Sequence, residues 1–223
     1  KGLTGVDASV QKAYDATKDA LVKLGYKLVE VDLPMLEYSV PAYYTIASAE
    51  ASANLARYNG IRYGDRPVFS ENPDALVRQA RDNGFGDEVK LRILTGTYVL
   101  RSGFQEQFYQ KAQKIRTAIK NDFERVFGMA DVLLMPVFPV PAFKHGDAGM
   151  DQFQQKVADK FTTAANLSGH PGLAVPGPVV DGLPVGMQFM APAMHEDLLF
   201  HVARALAPVF PAVTPPAFPP AYS

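Results

Sequence analysis

Apolar residues recur at helical spacing almost from the start of the chain. After Asp7, which can cap a helix, Val10, Ala13, Leu21 and Leu24 fall on one stripe with Thr17 its single polar member, and Gly25 stands where such a helix would stop. Tyr26 to Leu33 reads as a strand, broken at Leu33-Pro34 because proline cannot donate to a ladder. Ser39 followed by Pro41 predicts an N-cap with proline in the first turn. The helix it opens runs to about Tyr58, is stopped by Asn59-Gly60, and has Tyr43, Tyr44, Ala47, Ala51 and Leu55 on one face. Asn72-Pro73 opens a shorter polar helix that ends at Asn83-Gly84, and Asp87 can cap another that runs to Ser102-Gly103.

That last helix carries Val89, Leu91, Ile93, Leu94, Tyr98 and Val99 around most of its circumference, a pattern that predicts burial, with Arg92 inside it. Gln105 to Phe127 reads as a long amphipathic helix striped by Phe108, Ile115, Ile119, Phe123 and Val126. Val132 to Met135 is a continuous apolar run ended by Pro136, expected to be a strand buried on both faces as parallel strands are. Beyond a proline- and glycine-containing loop, Asp151 can cap a helix to Leu167. A strand near Leu173 to Pro176, the hairpin dipeptide Asp181-Gly182, a strand from Val185 to Ala191 and a helix from Asp197 to Leu206 follow. From Pro208 to Ser223 proline is frequent and periodicity is lost, so the expected division is a body over residues 1–207 and a tail over 208–223. Helices alternating with short strands give an α/β class.

Composition narrows the function classes. Of 223 residues 48% are hydrophobic, and 22 Lys and Arg against 23 Asp and Glu leave a charge of -1, without the basic excess that phosphate backbones attract. Absence of cysteine removes disulfides, thiolate metal sites and a cysteine nucleophile. No run has the length of a membrane span and no signal-peptide pattern is present, which makes the cytoplasm the expected location. The chain opens at Lys1 without a methionine and moves at once into a capped helix, which reads as a piece of something longer.

Three places invite a chemical reading. His195 and His201 flank Glu196, but a zinc helix needs histidines four apart and these are six apart, so no metal is expected. His170, in Ser168-Gly169-His170-Pro171-Gly172, has a serine nearby, yet the glycine-x-serine-x-glycine elbow is missing and a loop histidine satisfied by backbone or water is the favoured reading. Arg92 lies about 60° from the stripe of Val89, Ile93, Gly96 and Leu100, at about 100° per residue. Its guanidinium is expected to be partly desolvated and to need an anion, and a protein carboxylate and a substrate carboxylate fit equally.

The stretch EYSVPAYYTIASAEASANLARYNGIRYG, Glu37 to Gly64, resembles the glutaminase components, or A subunits, of the aspartyl- and glutamyl-tRNA amidotransferases, in the amidase-signature family. In order along the chain GFGDEVKLRILTGTYVL, QKAQKIRTAIKNDFERVF, FTTAANLSGHPGLAVP and DGLPVGMQF carry the same resemblance. It implies the C-terminal part of the amidase-signature fold, a mixed β-sheet flanked by helices on both faces. It also implies a glutaminase whose ammonia a second subunit uses, with ATP and Mg, to amidate misacylated Glu-tRNA(Gln) or Asp-tRNA(Asn). The implied partners are the B and C subunits of the amidotransferase, glutamine, and tRNA indirectly; no cofactor is expected in this chain.

The family's Ser, cis-Ser and Lys triad lies in a glycine- and serine-rich segment that nothing here matches, so the chain alone is expected to be inactive. Glutamine recognition, by resemblance, falls on Tyr43 of PAYY, Arg92 of EVKLRI and Asp159 of ADKFTT. An amino acid calls for a cation at its carboxylate, an anion at its ammonium and an orienting hydroxyl, and those are the roles implied for Arg92, Asp159 and Tyr43 in turn. On pattern alone Tyr43 would be core and Asp159 solvated. Departures from the family are VFPVPAF in the loop after the buried strand, Ala164 for a proline, and Phe104-Gln105 for an aromatic pair. The alternatives are a stand-alone amidase acting on a small amide and a non-catalytic piece that acts by binding partners. A further expectation is self-association through a sheet edge at Val132 to Met135.

Overall fold

The computed structural model describes residues 5–65, 72–144, 146, 149, 154–155 and 158–212. The chain divides into two compact units, one of residues 1–40 and 118–223, the other of residues 41–117. Most of the expected tail over residues 208–223 lies outside the described residues.

The first unit is built on a sheet of β1 (Leu133–Pro136), β2 (Gly172–Val180) and β3 (Leu183–Met190) in the order β1-β3-β2, both pairs antiparallel. Asp181-Gly182 makes the hairpin as expected, with φ of 51° and 79°, the two left-handed positions that a tight right-twisting turn demands. β1 is buried as expected, but it pairs antiparallel to β3, Leu133 opposite Met190, so the parallel assignment is corrected. A continuous apolar run records burial and carries no information on strand direction.

Period-two alternation sends Val185, Met187 and Phe189 to one face of β3, where they join Val10, Ala13, Leu21, Leu199, Val202 and Leu206 in the main core. Those partners belong to α1 (Ala8–Lys23) and to a C-terminal helix, Glu196–Leu206. On the opposite face the Gln188 amide donates to the carbonyl of Phe161, 3.3 Å away, in the helix Lys160–Ser168. Helices therefore cover both faces.

Local signals mostly behave as chemistry dictates. The Asp7 carboxylate accepts from the Ser9 amide at 2.8 Å, and buried Thr17 donates to the Ala13 carbonyl at 2.8 Å, which satisfies the one polar group on the α1 stripe. Tyr26 to Leu33 forms no ladder among the described residues, and Leu28 and Val29 are exposed, so the expected strand is an extended segment without a paired neighbour. Ser39 is not a cap: a 3-10 turn (Pro34–Tyr38) precedes it, its own backbone is already helical, and its buried hydroxyl donates to the Lys160 carbonyl at 3.1 Å.

The second unit is helical. It holds most of α2 (Ser39–Asn54), α3 (Pro73–Gly84), α4 (Asp87–Val99), and the first turns of α5 (Lys111–Phe127), which a π-helical turn (Glu106–Gln110) introduces. The C-terminal part of α5 lies in the first unit, where Ile119, Phe123 and Val126 are buried as their stripe predicts. Further along the chain, among the described residues, stand α6 (Lys160–Ser168) and α7 (Glu196–Leu206).

Asn72 caps α3 as expected, accepting from the Asp74 amide at 2.9 Å. Gly86, not Asp87, holds the cap position of α4. Burial of α4 on most sides is not found: Leu91, Leu94 and Tyr98 are 48%, 69% and 47% exposed, and only Gly96 and Val99 are buried. The face of α2 that is buried runs through Ala42, Ile46 and Ala49, one position before the expected stripe, which leaves Tyr43 half-buried instead of in the core.

Candidate functional site

Tyr43 and Arg92 lie in the helical unit, on α2 and α4, and Asp159 lies in the sheet-bearing unit. The two helices approach each other at Gly96. A Cβ built there would lie 1.9 Å from the Ser48 carbonyl oxygen, so only glycine permits this spacing of backbones. One turn before each of those contact points stand Arg92 and Tyr44, and the Arg92 guanidinium carbon sits 5.4 Å from the centre of the Tyr44 ring. Tyr43 meets the Tyr44 ring edge-on, at 5.4 Å between centres and 87° between planes.

Arg92 keeps a third of its side-chain surface, so it is half-buried, as a partly desolvated guanidinium should be. Its Nε donates to Glu88 Oε1 at 2.9 Å, four residues earlier on α4. The Glu88 hydrogen bond raises the guanidinium above its ordinary pKa, partial burial opposes it, and weaker charge interactions with Glu88, Tyr44 and Tyr43 add to the rise. The permanently charged group therefore has an internal acid beside it, one of the two partners left open by the sequence. The bond runs through Nε, and among the described residues Nη1 and Nη2 have no protein acceptor within hydrogen-bond reach. Pattern reasoning missed Glu88 and Tyr44, although a glutamate four residues before an arginine is a legible helical pair.

Asp159 occupies the N-cap position of α6, yet its side chain makes no cap hydrogen bond. Its carbonyl accepts from the Thr163 hydroxyl at 2.9 Å, and that hydroxyl lies 3.3 Å from Ser39 Oγ, a polar cluster that ties α6 to the start of α2 within the sheet-bearing unit. Of the helix expected from Asp151 to Leu167, Gln154, Gln155 and Ala158 are helical and a turn at Asp159 precedes Lys160–Ser168, while Asp151 itself lies outside the described residues.

His170 is nine-tenths buried, stacked on Phe123 at 5.8 Å and tilted against Phe127 at 5.0 Å, and its Nδ1 has no hydrogen-bond partner. Burial pushes the imidazole below its ordinary pKa; Glu124 acts against that and Lys120 with it, both more weakly. The ring packs as an aromatic core residue, in place of the satisfied loop histidine that the sequence suggested. The Ser168 hydroxyl donates to the Ala165 carbonyl, 3.3 Å away, and so is bonded within its own helix. His195 pairs loosely with Asp197 at 3.8 Å, and among the described residues no group of three or more His, Asp or Glu could hold a metal ion. No described helix is long and apolar enough to cross a membrane.

A comparison with known protein families matches residues 1–200 to the model described as Amidase. The chain belongs to the amidase family. Within that family it is 46% identical over 204 residues to the glutamyl-tRNA(Gln) amidotransferase A subunit of Fusobacterium nucleatum, covering 92% of this chain and 42% of that protein. It is 44% identical over 215 residues to the protein of the same name from Salinispora tropica, covering 96% of this chain and 44% of the relative. The solved structure of the glutamyl-tRNA(Gln) amidotransferase A subunit from Thermotoga maritima superposes with a TM-score of 0.68 at 32% identity, covering 92% of this chain and 40% of that one. A crystal structure of an amidase with TM-score 0.71 and 22% identity shares the fold over 92% of this chain and 43% of its own. This amidase-family chain thus spans less than half the length of the relatives it matches.

Proposed function

We propose that the full gene product hydrolyses glutamine to glutamate and ammonia as the A subunit of a tRNA-dependent amidotransferase, and that this chain supplies its recognition of the free amino acid. The similarity to amidotransferase A subunits supports the activity, and the disposition of Arg92 supports the role of the chain. Two donor nitrogens at the outer edge of a half-buried guanidinium, with an aromatic ring behind it, suit a carboxylate received through two parallel bonds. Tyr43, whose ring meets that of Tyr44 edge-on, is the orienting hydroxyl in this reading. Asp159 keeps the part that the family resemblance implies, an anion for the substrate's ammonium.

The nucleophilic serine, its bridging serine and the lysine belong, in this proposal, to sequence outside the chain, so the chain by itself is inert toward glutamine. The ammonia passes to a B subunit that handles ATP, Mg and the misacylated tRNA, with a C subunit completing the assembly in the cytoplasm. The test is Arg92→Ala in the full gene product. Charge-assisted bonds of ~1.5–3 kcal/mol each predict a rise in the KM for glutamine of at least about tenfold, with a smaller change in kcat. An unchanged KM would mean that Arg92 is only a helix-surface ion pair with Glu88, and the carboxylate assignment would fall.

A further inference from the structure

Arg92 must be presented to a ligand in one orientation, and an arginine on an exposed helix face has many. Its long stem and rotatable bonds carry about 2 kcal/mol of rotamer entropy, which any bidentate contact must overcome. Two contacts in the helical unit restrict that freedom before a ligand arrives. Glu88 Oε1 accepts from Nε at 2.9 Å, which fixes the inner edge of the guanidinium, and the Tyr44 ring, 5.4 Å from its carbon, sets the face. With Nε committed, the edge still available for two parallel bonds is the Nη1–Nη2 edge, directed away from Glu88.

We propose that Glu88 is a positioning residue for Arg92, holding the guanidinium so that Nη1 and Nη2 meet an incoming α-carboxylate end-on. The inference rests on the carboxylate role of Arg92 given above and adds the residue that prepares it. It also carries a sign that an ordinary ion pair lacks. The useful part of Glu88 is an acceptor oxygen, because its negative charge repels the carboxylate that Arg92 is to bind. Glutamine at position 88 keeps the acceptor and removes the charge; alanine removes both. Glutamine affinity in the full gene product should therefore follow the order Glu88→Gln at least as tight as the native residue, and native tighter than Glu88→Ala.

The experiment measures KM and kcat for glutamine in the full gene product carrying Glu88→Ala, Glu88→Gln or Arg92→Ala. The Arg92 Nε–Hε resonance is followed in nitrogen-proton correlation spectra, and a thermal melt of each variant checks folding. Expected for Glu88→Ala is a rise in KM of roughly two- to fivefold, the range that a pair this exposed supports, with kcat within about twofold, an unchanged melt and a displaced or broadened Nε–Hε signal. Glu88→Gln restores both KM and the signal. The positioning role is overturned by a large KM rise for Arg92→Ala with none for Glu88→Ala, or by Gln and Ala variants that behave alike. A KM untouched by Arg92→Ala instead removes the carboxylate reading, and this proposal with it.

Discussion

The two units solve the problem of apolar surface differently. In the sheet-bearing unit, α1, α7 and one face of the sheet close over Val10, Met187, Phe189 and Leu206, each at most 2% exposed. In the helical unit Leu91, Leu94, Tyr98 and Phe108 remain exposed, with Tyr98, Phe104 and Phe108 clustered on one another at 4.8–6.1 Å. One unit is held by a core completed within the chain, while the other relies on close backbone approach and on ring contacts at its surface. The candidate ligand group, Arg92, lies in the less enclosed of the two.

The sharpest way to break this contrast is to make the same exchange in both. Phe189→Ala, at 2% exposure, should cost ~3–5 kcal/mol in urea unfolding, because both the transfer free energy and a cavity term apply. Phe108→Ala, at 41% exposure, should cost less than about 1 kcal/mol. Equal losses would show the helical unit to be as tightly cored as the sheet.

Next in size is Gly96→Ala, whose methyl would meet the Ser48 carbonyl at 1.9 Å; overpacking of about 1–3 kcal/mol is expected. Hydrogen exchange locates the damage: amides of α2 and α4 should lose protection while those of β2 and β3 keep theirs. Faster exchange confined to the sheet would contradict the assignment.

The smallest effect is that of pH on the sheet-bearing unit. His170 titrates lower in the folded chain than the ~6.5 of an unfolded one, so the unfolded state takes up the proton first. Stability should be level above about pH 6.5 and fall as pH drops from there toward the folded value, a slope that His170→Leu flattens. A slope unaltered in that variant would place the titration elsewhere.

Much of the sheet-bearing unit could be read from the residues because each local rule had its partner within the chain. Asp7 found the Ser9 amide, Thr17 found a carbonyl one turn back, and Asp181-Gly182 took the two left-handed positions. Readings failed where the deciding partner was distant or not described. Tyr26 to Leu33 has strand composition but no ladder, since a strand is defined by a neighbour and not by its own residues. The α4 pattern predicted burial that no described element provides, and the buried face of α2 runs one position before the stripe its residues suggested, because which face is covered is set by neighbours distant in sequence. At the candidate site, the anionic need of Arg92 was legible from its place on the helix. The identity of its acid, Glu88, was legible too as a residue four positions earlier on the helix, but it was not named.

The contact at Gly96 reaches beyond packing. Because the missing side chain sets how far apart α2 and α4 stand one turn from Arg92 and Tyr44, it acts as a spacer for the distance between the guanidinium and the ring behind it. Under the proposed carboxylate role of Arg92, ligand affinity could then be retuned from a position that touches no ligand. Drift at residue 96 would in that case alter how strongly the carboxylate is held while the donors that meet it stayed the same.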